Sequence, residues 1–149
     1  MHGADGVDCE FCGPDAFADA EVRIENELCV YAGGRLGAEH ETLPGSGIVV
    51  PKAHRESPFD LTPDEWVATR ELVVVARRRN DERWSPDGFN LIWNVGAVGG
   101  QQVAHVHLHL VARFHDEPYA GRGARWWLKQ PENLRPDPLA PGLGGAPPA

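Results

Sequence analysis

The sequence predicts an α+β fold, with one long helix beside several short, mostly antiparallel strands. Three observations predict it. Leu61-Thr62-Pro63-Asp64-Glu65-Trp66 opens a long stretch with the chemistry of a helix start. Short runs rich in Val, Ile, Tyr and Phe, bounded by Gly, Pro and Asn, read as strands. Ala104–Val111 (AHVHLHLV) sets His105, His107 and His109 at strict alternation with Val106, Leu108 and Leu110. Residues two apart share no helix face, whereas in a strand they line one side of the sheet.

Residues 1–20 read as irregular, with Cys9 and Cys12 set among glycines and a proline. Val22–Glu25 and Leu28–Ala32 are strand candidates joined by a turn at Glu25-Asn26-Glu27. Gly33–Gly47 is rich in Gly and charge and reads as a loop, and Ile48-Val49-Val50 as a short buried strand stopped by Pro51. In the helix, Thr62 is the N-cap, Pro63 suits the first helical position and Glu65 completes a capping box, with Leu61 and Trp66 spaced as a hydrophobic staple. It should run to about Arg83, before Ser85-Pro86-Asp87-Gly88, with Arg77–Arg79 on a solvated face. Phe89–Asn94 is the next strand, Gly96–Gly100 a turn, and the histidine stretch the last strand, its imidazoles about 7 Å apart. Residues 1–135 form the expected domain, and 136–149, rich in Pro and Gly, a mobile tail.

The chain has 149 residues, a formal charge of −8 and 42% hydrophobic content, which suits one globular domain. No apolar run reaches the ~18 residues of a membrane span, and the N-terminus lacks the pattern of a signal peptide. A cytoplasmic location is expected. The acidic balance argues against long nucleic acid as a partner but leaves room for a small phosphate ligand. Of three cysteines, Cys29 lies in an apolar run and reads as a buried small hydrophobe.

Cys9-x-x-Cys12 admits a redox or a zinc reading. A redox pair would open a helix after a strand, and this one precedes every clear element. Zinc needs two more ligands, for which His54 and His105 are candidates. His107 and His109 also admit two readings. A neutral imidazole attacks phosphorus well, and a second can donate to a phosphate oxygen or the leaving group. Alternatively, two alternate strand histidines can converge on a catalytic metal. Asn94 to Val103 reads as a hairpin turn or an anion loop, in which Gly100 would let backbone approach a phosphate and Gln101 would offer an amide.

The run Asn94-x-Gly96-x-x-Gly99-Gly100-Gln101-x-Val103-x-His105-x-His107-x-His109 resembles the signature of the histidine triad (HIT) family. Gly47–His54 is similar to that family's upstream strand, Cys9-Glu10-Phe11-Cys12 to the zinc pair of its bacterial branch, and Gly121-x-Gly123-x-Arg125-Trp126 to a segment after the triad. The resemblance implies an antiparallel sheet with one long helix and short flanking helices. It implies a homodimer that binds a small nucleotide, a dinucleoside polyphosphate or a nucleoside phosphoramidate, and cleaves at the α-phosphate, by hydrolysis or nucleotidyl transfer, with slow-turnover nucleotide binding as the non-catalytic alternative. By position His107 is the nucleophile, His109 contacts phosphate, Gln101 helps hold it and Asn94 orders the site. Cys9, Cys12, His54 and His105 are the implied ligands of a structural Zn2+. Retention of His109 favours hydrolysis over transfer.

Three departures from the family pattern stand out. Gln102 replaces the small hydroxyl residue after the motif's Gln, which alters an expected substrate contact. Ala112 replaces a proline before Arg113. The acidic residue of the ribose-binding segment has no clean counterpart in 32–45, where Glu39 and Glu41 are the candidates. Trp126 and Trp127 read either as leaving-group lining or as a packed C-terminal segment, and His115 as a surface residue.

Overall fold

The computed structural model describes residues 9–34 and 43–135. Glu39, Glu41 and the expected tail at 136–149 lie outside them. Met1–Glu117 and Pro118–Ala149 form two compact units. The first holds a five-stranded antiparallel sheet: β1 (Val22–Glu25), β2 (Cys29–Gly33), β3 (Gly47–Pro51), β4 (Gly88–Trp93) and β5 (Leu108–Arg113), in the order β1-β2-β3-β5-β4. The helix α1 (Pro63–Trp84) intervenes between β3 and β4. The fold is α+β, as the sequence predicts.

Asn26 closes the β1–β2 turn through its side chain, which accepts from the N–H groups of Leu28 (3.2 Å) and Cys29 (2.8 Å). Its amide also donates to the Ala68 carbonyl of α1 at 2.9 Å, tying the hairpin to the helix. Gly33 and Gly47 face each other across β2 and β3. A Cβ on Gly47 would lie 2.6 Å from the Ala32 carbonyl and 2.7 Å from the Tyr31 hydroxyl, so the buried phenol occupies the space both glycines leave.

The capping box at Thr62 and Glu65 forms as expected, and Ser85 ends α1 in the left-handed region at φ 48°. Trp66 places its ring edge-on to Trp93, centroids 5.6 Å apart. The buried stripe of α1 is Glu65, Ala68, Thr69, Leu72, Ala76 and Asn80, which fall on one face of the helix. Its small side chains let the helix lie close to Cys29, Tyr31, Val49, Leu108 and Leu110. Burial stabilises this layer by about 1.5–3 kcal/mol for each large aliphatic side chain, Leu72 and Leu110 among them.

The opposite face carries Ala32, Ile48 and Val50, covered by Phe11, Phe17 and Ala20 of the irregular N-terminal segment. The two faces explain the alternation in β5. Leu108 and Leu110 point to α1, and His109 points to the face the N-terminal segment covers.

The histidine strand is shorter than the sequence predicts. Its ladder begins at Leu108, so His105 and His107 precede β5. The cause lies in β3, which ends at Pro51, a residue with no N–H to donate. Beyond it, Val106 N–H donates to the Arg55 carbonyl at 2.7 Å, and the His105 ring bonds the Pro51 carbonyl at 2.8 Å. The chain bends through residues 103–105 there and is held by a loop and a side chain instead of a strand partner.

Candidate active site

The N-terminal segment, the loop after β3 and the approach to β5 bring Cys9, Cys12, His54 and His105 together, their ligand atoms all within 4.8 Å of one another. Both sulfurs approach Nδ1 atoms: Cys9–His105 at 3.4 Å, Cys12–His54 at 3.3 Å and Cys12–His105 at 3.3 Å. A tetrahedral zinc with usual Zn–S and Zn–N lengths requires S···N edges of roughly 3.5 Å. The donor set and its spacing therefore fit that ion. His105 is fully buried, and its Nε2–H donates to the Pro51 carbonyl, leaving the Nδ1 lone pair for a metal. All three cysteines of the chain are free thiols. Burial, together with neighbouring Cys9, pushes the Cys12 thiol up to about 11, an opposition that a bound cation would reverse. Burial also lowers the His105 imidazole from its ordinary value. These four donors do not include His107 or His109.

His107 is 8% exposed, and its Nδ1–H donates to the His105 carbonyl at 2.9 Å. That bond fixes the tautomer and frees the Nε2 lone pair. His109 stands beside it, ring centroids 4.8 Å apart. Burial first, and then the neighbouring His107, lowers the His109 imidazole below its ordinary value, so its neutral form prevails at pH 7.

The Gln101 side chain is hydrogen-bonded at both ends of its amide. Its carbonyl oxygen accepts from Gly96 N–H at 2.9 Å, and its NH2 donates to the carbonyls of Glu56 (2.8 Å) and Val103 (3.0 Å). The side chain thus knits the Gly-rich turn to the loop after β3. Gly100 sits at φ 91°, a conformation that favours glycine, with the Asn94 amide beneath it. Gln102 is exposed and lines an open cavity of about 720 Å³ with His107 and His109.

The remaining wall of that cavity is not legible in the motif. Cys9, Glu10, Phe11, Asp15, Phe17 and Asp19 of the N-terminal segment line it, opposite Ile48. Phe11 sits edge-to-face with His107, centroids 5.4 Å apart, and tilts against Phe17 at 5.1 Å. Its position between the two cysteines is the one signal in the sequence that marks it.

A second unsuspected element is the Arg55–Glu65 pair. The Arg55 Nε–H donates to both Glu65 carboxylate oxygens, at 3.2 and 3.3 Å. Glu65 is 4% exposed. Burial pushes its carboxyl up, but hydrogen bonds from Thr62 N–H and Arg55 outweigh that and hold it below the usual range. Since the Arg55 carbonyl also holds Val106, the cap of α1 is mechanically linked to the chain between His105 and His107.

In the second unit, Trp126 and Trp127 lie on the short helix α2 (Ala124–Leu128), 37% and 51% exposed, with ring centroids 4.5 Å apart. His115 is exposed and pairs with Asp87. Cys29 is buried. No described helix is long and apolar enough to cross a membrane.

Residues 39–116 match the HIT domain. An uncharacterized HIT-like protein of Methanocaldococcus jannaschii is 36% identical over 73 residues, 49% of this chain and 56% of that protein. The chain thus spans little more than half the length of that relative. The adenosine 5'-monophosphoramidase hnt1 of Schizosaccharomyces pombe is 26% identical over 94 residues, covering 63% of this chain and 68% of that one. A HIT family protein of Bacillus anthracis superposes with a TM-score of 0.63 at 28% identity, over 85% of each chain. A Zn-bound histidine triad family protein of Mycobacterium smegmatis does so at 0.60 and 26%, over 77% of this chain and 81% of that one.

Proposed function

The chain belongs to the HIT domain family, and on that premise we propose that it is a nucleotide hydrolase that cleaves at the α-phosphate through a nucleotidyl-histidine intermediate. The observation that carries this reading is the tautomer of His107, whose Nδ1–H is committed to a carbonyl while Nε2 stays free beside the cavity. Similarity to the hnt1 phosphoramidase supports the hydrolase class.

In this mechanism His107 Nε2 attacks phosphorus, and the bond from phosphorus to the leaving atom breaks with its electron pair on that atom. His109, neutral at pH 7, donates an N–H to a phosphate oxygen or to the departing atom. Water then attacks phosphorus, the P–Nε2 bond breaks with its electron pair returning to Nε2, a proton of that water passes to solvent, and a nucleoside monophosphate leaves. Asn94, Gly100 and Gln101 shape the turn beside the phosphate, and Gln102 contacts substrate from the cavity wall. Cys9, Cys12, His54 and His105 would hold a structural zinc, which supplies a closed cross-link between the N-terminal segment and the sheet.

We assign a homodimer to the same reading. Val67, Val74 and Val75 of α1 and Leu91 on edge strand β4 are exposed apolar side chains that a second copy would cover.

The test is rapid-quench mass spectrometry with an adenosine 5'-phosphoramidate. A nucleotidyl adduct on His107, and abolished turnover with nucleotide affinity retained in His107→Ala, is the expected result. Near-normal turnover in His107→Ala would remove the assignment.

A further inference from the structure

An attacking imidazole needs two things of its surroundings, the right tautomer and the right aim. The bond from Nδ1–H of His107 to the His105 carbonyl supplies the tautomer. Aim is a separate matter, because the torsion about the Cβ–Cγ bond of histidine is broad, and one hydrogen bond tolerates a wide swing of the ring. A shift of about 1 Å in a reacting atom can slow a reaction by about 10²-fold.

Two rings pack against this imidazole. His109, two residues on, lies at a centroid distance of 4.8 Å. Phe11, from the N-terminal segment, lies at 5.4 Å with an interplanar angle of 84°. That near-perpendicular geometry is one the quadrupoles of two aromatic rings favour.

Phe11 is itself held from several sides. It sits in the turn that Cys12 N–H closes on the Cys9 carbonyl at 3.0 Å, between two of the four clustered metal donors. Its ring also meets His105 at 5.9 Å and Phe17 at 5.1 Å, and it packs against the sheet face of Ala32, Ile48 and Val50. Phe17 occupies the left-handed region at φ 62°, where a bulky side chain is strained and glycine is not. Such strain persists only where surrounding contacts over-determine it, and Phe17 there backs Phe11 and covers the same sheet face.

Resting on the hydrolase reading above, we infer that Phe11 is a positioning residue: its ring, backed by Phe17, holds the His107 imidazole with Nε2 aimed into the cavity. An aromatic ring does this without a hydrogen bond that would compete for the Nε2 lone pair. Losing an edge-to-face contact shifts the balance between ring orientations by roughly two- to tenfold. With the misplacement of Nε2 that follows, kcat should fall about tenfold. KM should move by less than about twofold, because the aim of Nε2 matters to the transition state and not to ground-state binding.

The experiment uses the zinc-loaded full chain, its Phe11→Leu and Phe11→Tyr variants, and adenosine 5'-phosphoramidate as the probe. Leucine keeps an apolar cover without a ring, whereas tyrosine keeps the ring. Zinc content and thermal unfolding identify the variants that are folded and loaded. NMR relaxation dispersion and two-bond nitrogen–proton correlation read the His107 ring in the free protein at constant pH. The wild type should give one set of ring signals with flat dispersion. Phe11→Leu should give exchange broadening or a second set, with kcat about tenfold lower and KM changed less than about twofold. Phe11→Tyr should restore both readouts. Where Phe11→Leu fails to fold, Phe17→Leu, which removes only the backing ring, takes its place, with the same ring exchange and a loss of about threefold in kcat. A wild-type ring that already exchanges between orientations overturns the inference. So does a folded leucine variant with unchanged ring signals or unchanged kcat, a loss confined to KM, or a Phe11→Tyr as slow as Phe11→Leu. Each of these leaves the hydrolase reading standing. Absence of turnover in the wild type overturns that reading, and the inference with it.

Discussion

Replacing Glu65 by alanine tests the link between the helix cap and the histidine stretch. The buried carboxylate accepts from Thr62 N–H at 2.7 Å and from Arg55 at 3.2 and 3.3 Å. Losing the capping contact costs about 1 kcal/mol. The Arg55 side chain is 36% exposed, so its head rehydrates when released, and the ion pair contributes only about 1 kcal/mol more. The sum, about 2 kcal/mol, should lower Tm by about 4–8 °C for a chain of this size. Because the folded carboxyl sits below its ordinary pKa, its contribution is complete above the unfolded value and is lost as pH falls through the lowered folded value. The difference from wild type should therefore be full at pH 7 and shrink below pH 4. Glu65→Gln, which keeps an acceptor for Thr62 but no charge, should show about half the loss. Urea unfolding in zinc-containing buffer at both pH values measures this. Release of Arg55 also loosens the carbonyl that holds Val106, so kcat should fall more than KM rises. A loss below about 0.5 kcal/mol, or a difference that persists undiminished at pH 3, refutes the reasoning.

Cys9→Ser should bind zinc more weakly and unfold at lower temperature, with phosphoramidate turnover per folded, metal-loaded molecule far less affected; elemental analysis with calorimetry separates the two. His109→Ala should slow turnover by about 10²–10⁴-fold, least for good leaving groups, as steady-state kinetics with two amines would show. Since the folded His109 imidazole titrates below its ordinary value, its neutral state adds stability that is complete above about pH 6.5 and lost as pH falls through the lowered value. His109→Asn should therefore flatten part of the acid branch of the stability profile. Val67→Glu/Leu91→Glu should give monomer mass by light scattering at tens of micromolar where the wild type gives a dimer; a wild-type monomer at that concentration would remove the dimer assignment.

The local elements were legible because each rests on neighbours in sequence. Thr62-Pro63-Asp64-Glu65 starts α1 through contacts within one turn, and Pro51 and Ser85-Pro86 mark ends through backbone chemistry alone. The alternation of His105, His107 and His109 with Val106, Leu108 and Leu110 likewise dictates opposed faces, whatever lies beyond them. Cys9, Cys12, His54 and His105, which lie in three separate segments and are the zinc ligands that the family resemblance implies, are brought within 4.8 Å by the structure.

Tertiary structure decided the rest, because it depends on which distant groups meet. The ladder of β5 starts at Leu108 only because β3 runs out at Pro51, and the chain before it is held by Arg55 instead. Gln101 carries amide groups suited to a phosphate, and the fold pairs them with three backbone groups from two loops. Phe11, Glu10, Asp15 and Asp19 sit in a stretch with no periodicity, and they become a cavity wall only because two cysteines are drawn against His54 and His105 across the sheet. Sequence spacing fixes what a residue can offer to its own turn or strand; whether a side chain is spent on structure or left facing a cavity is set by chain segments up to 96 residues away.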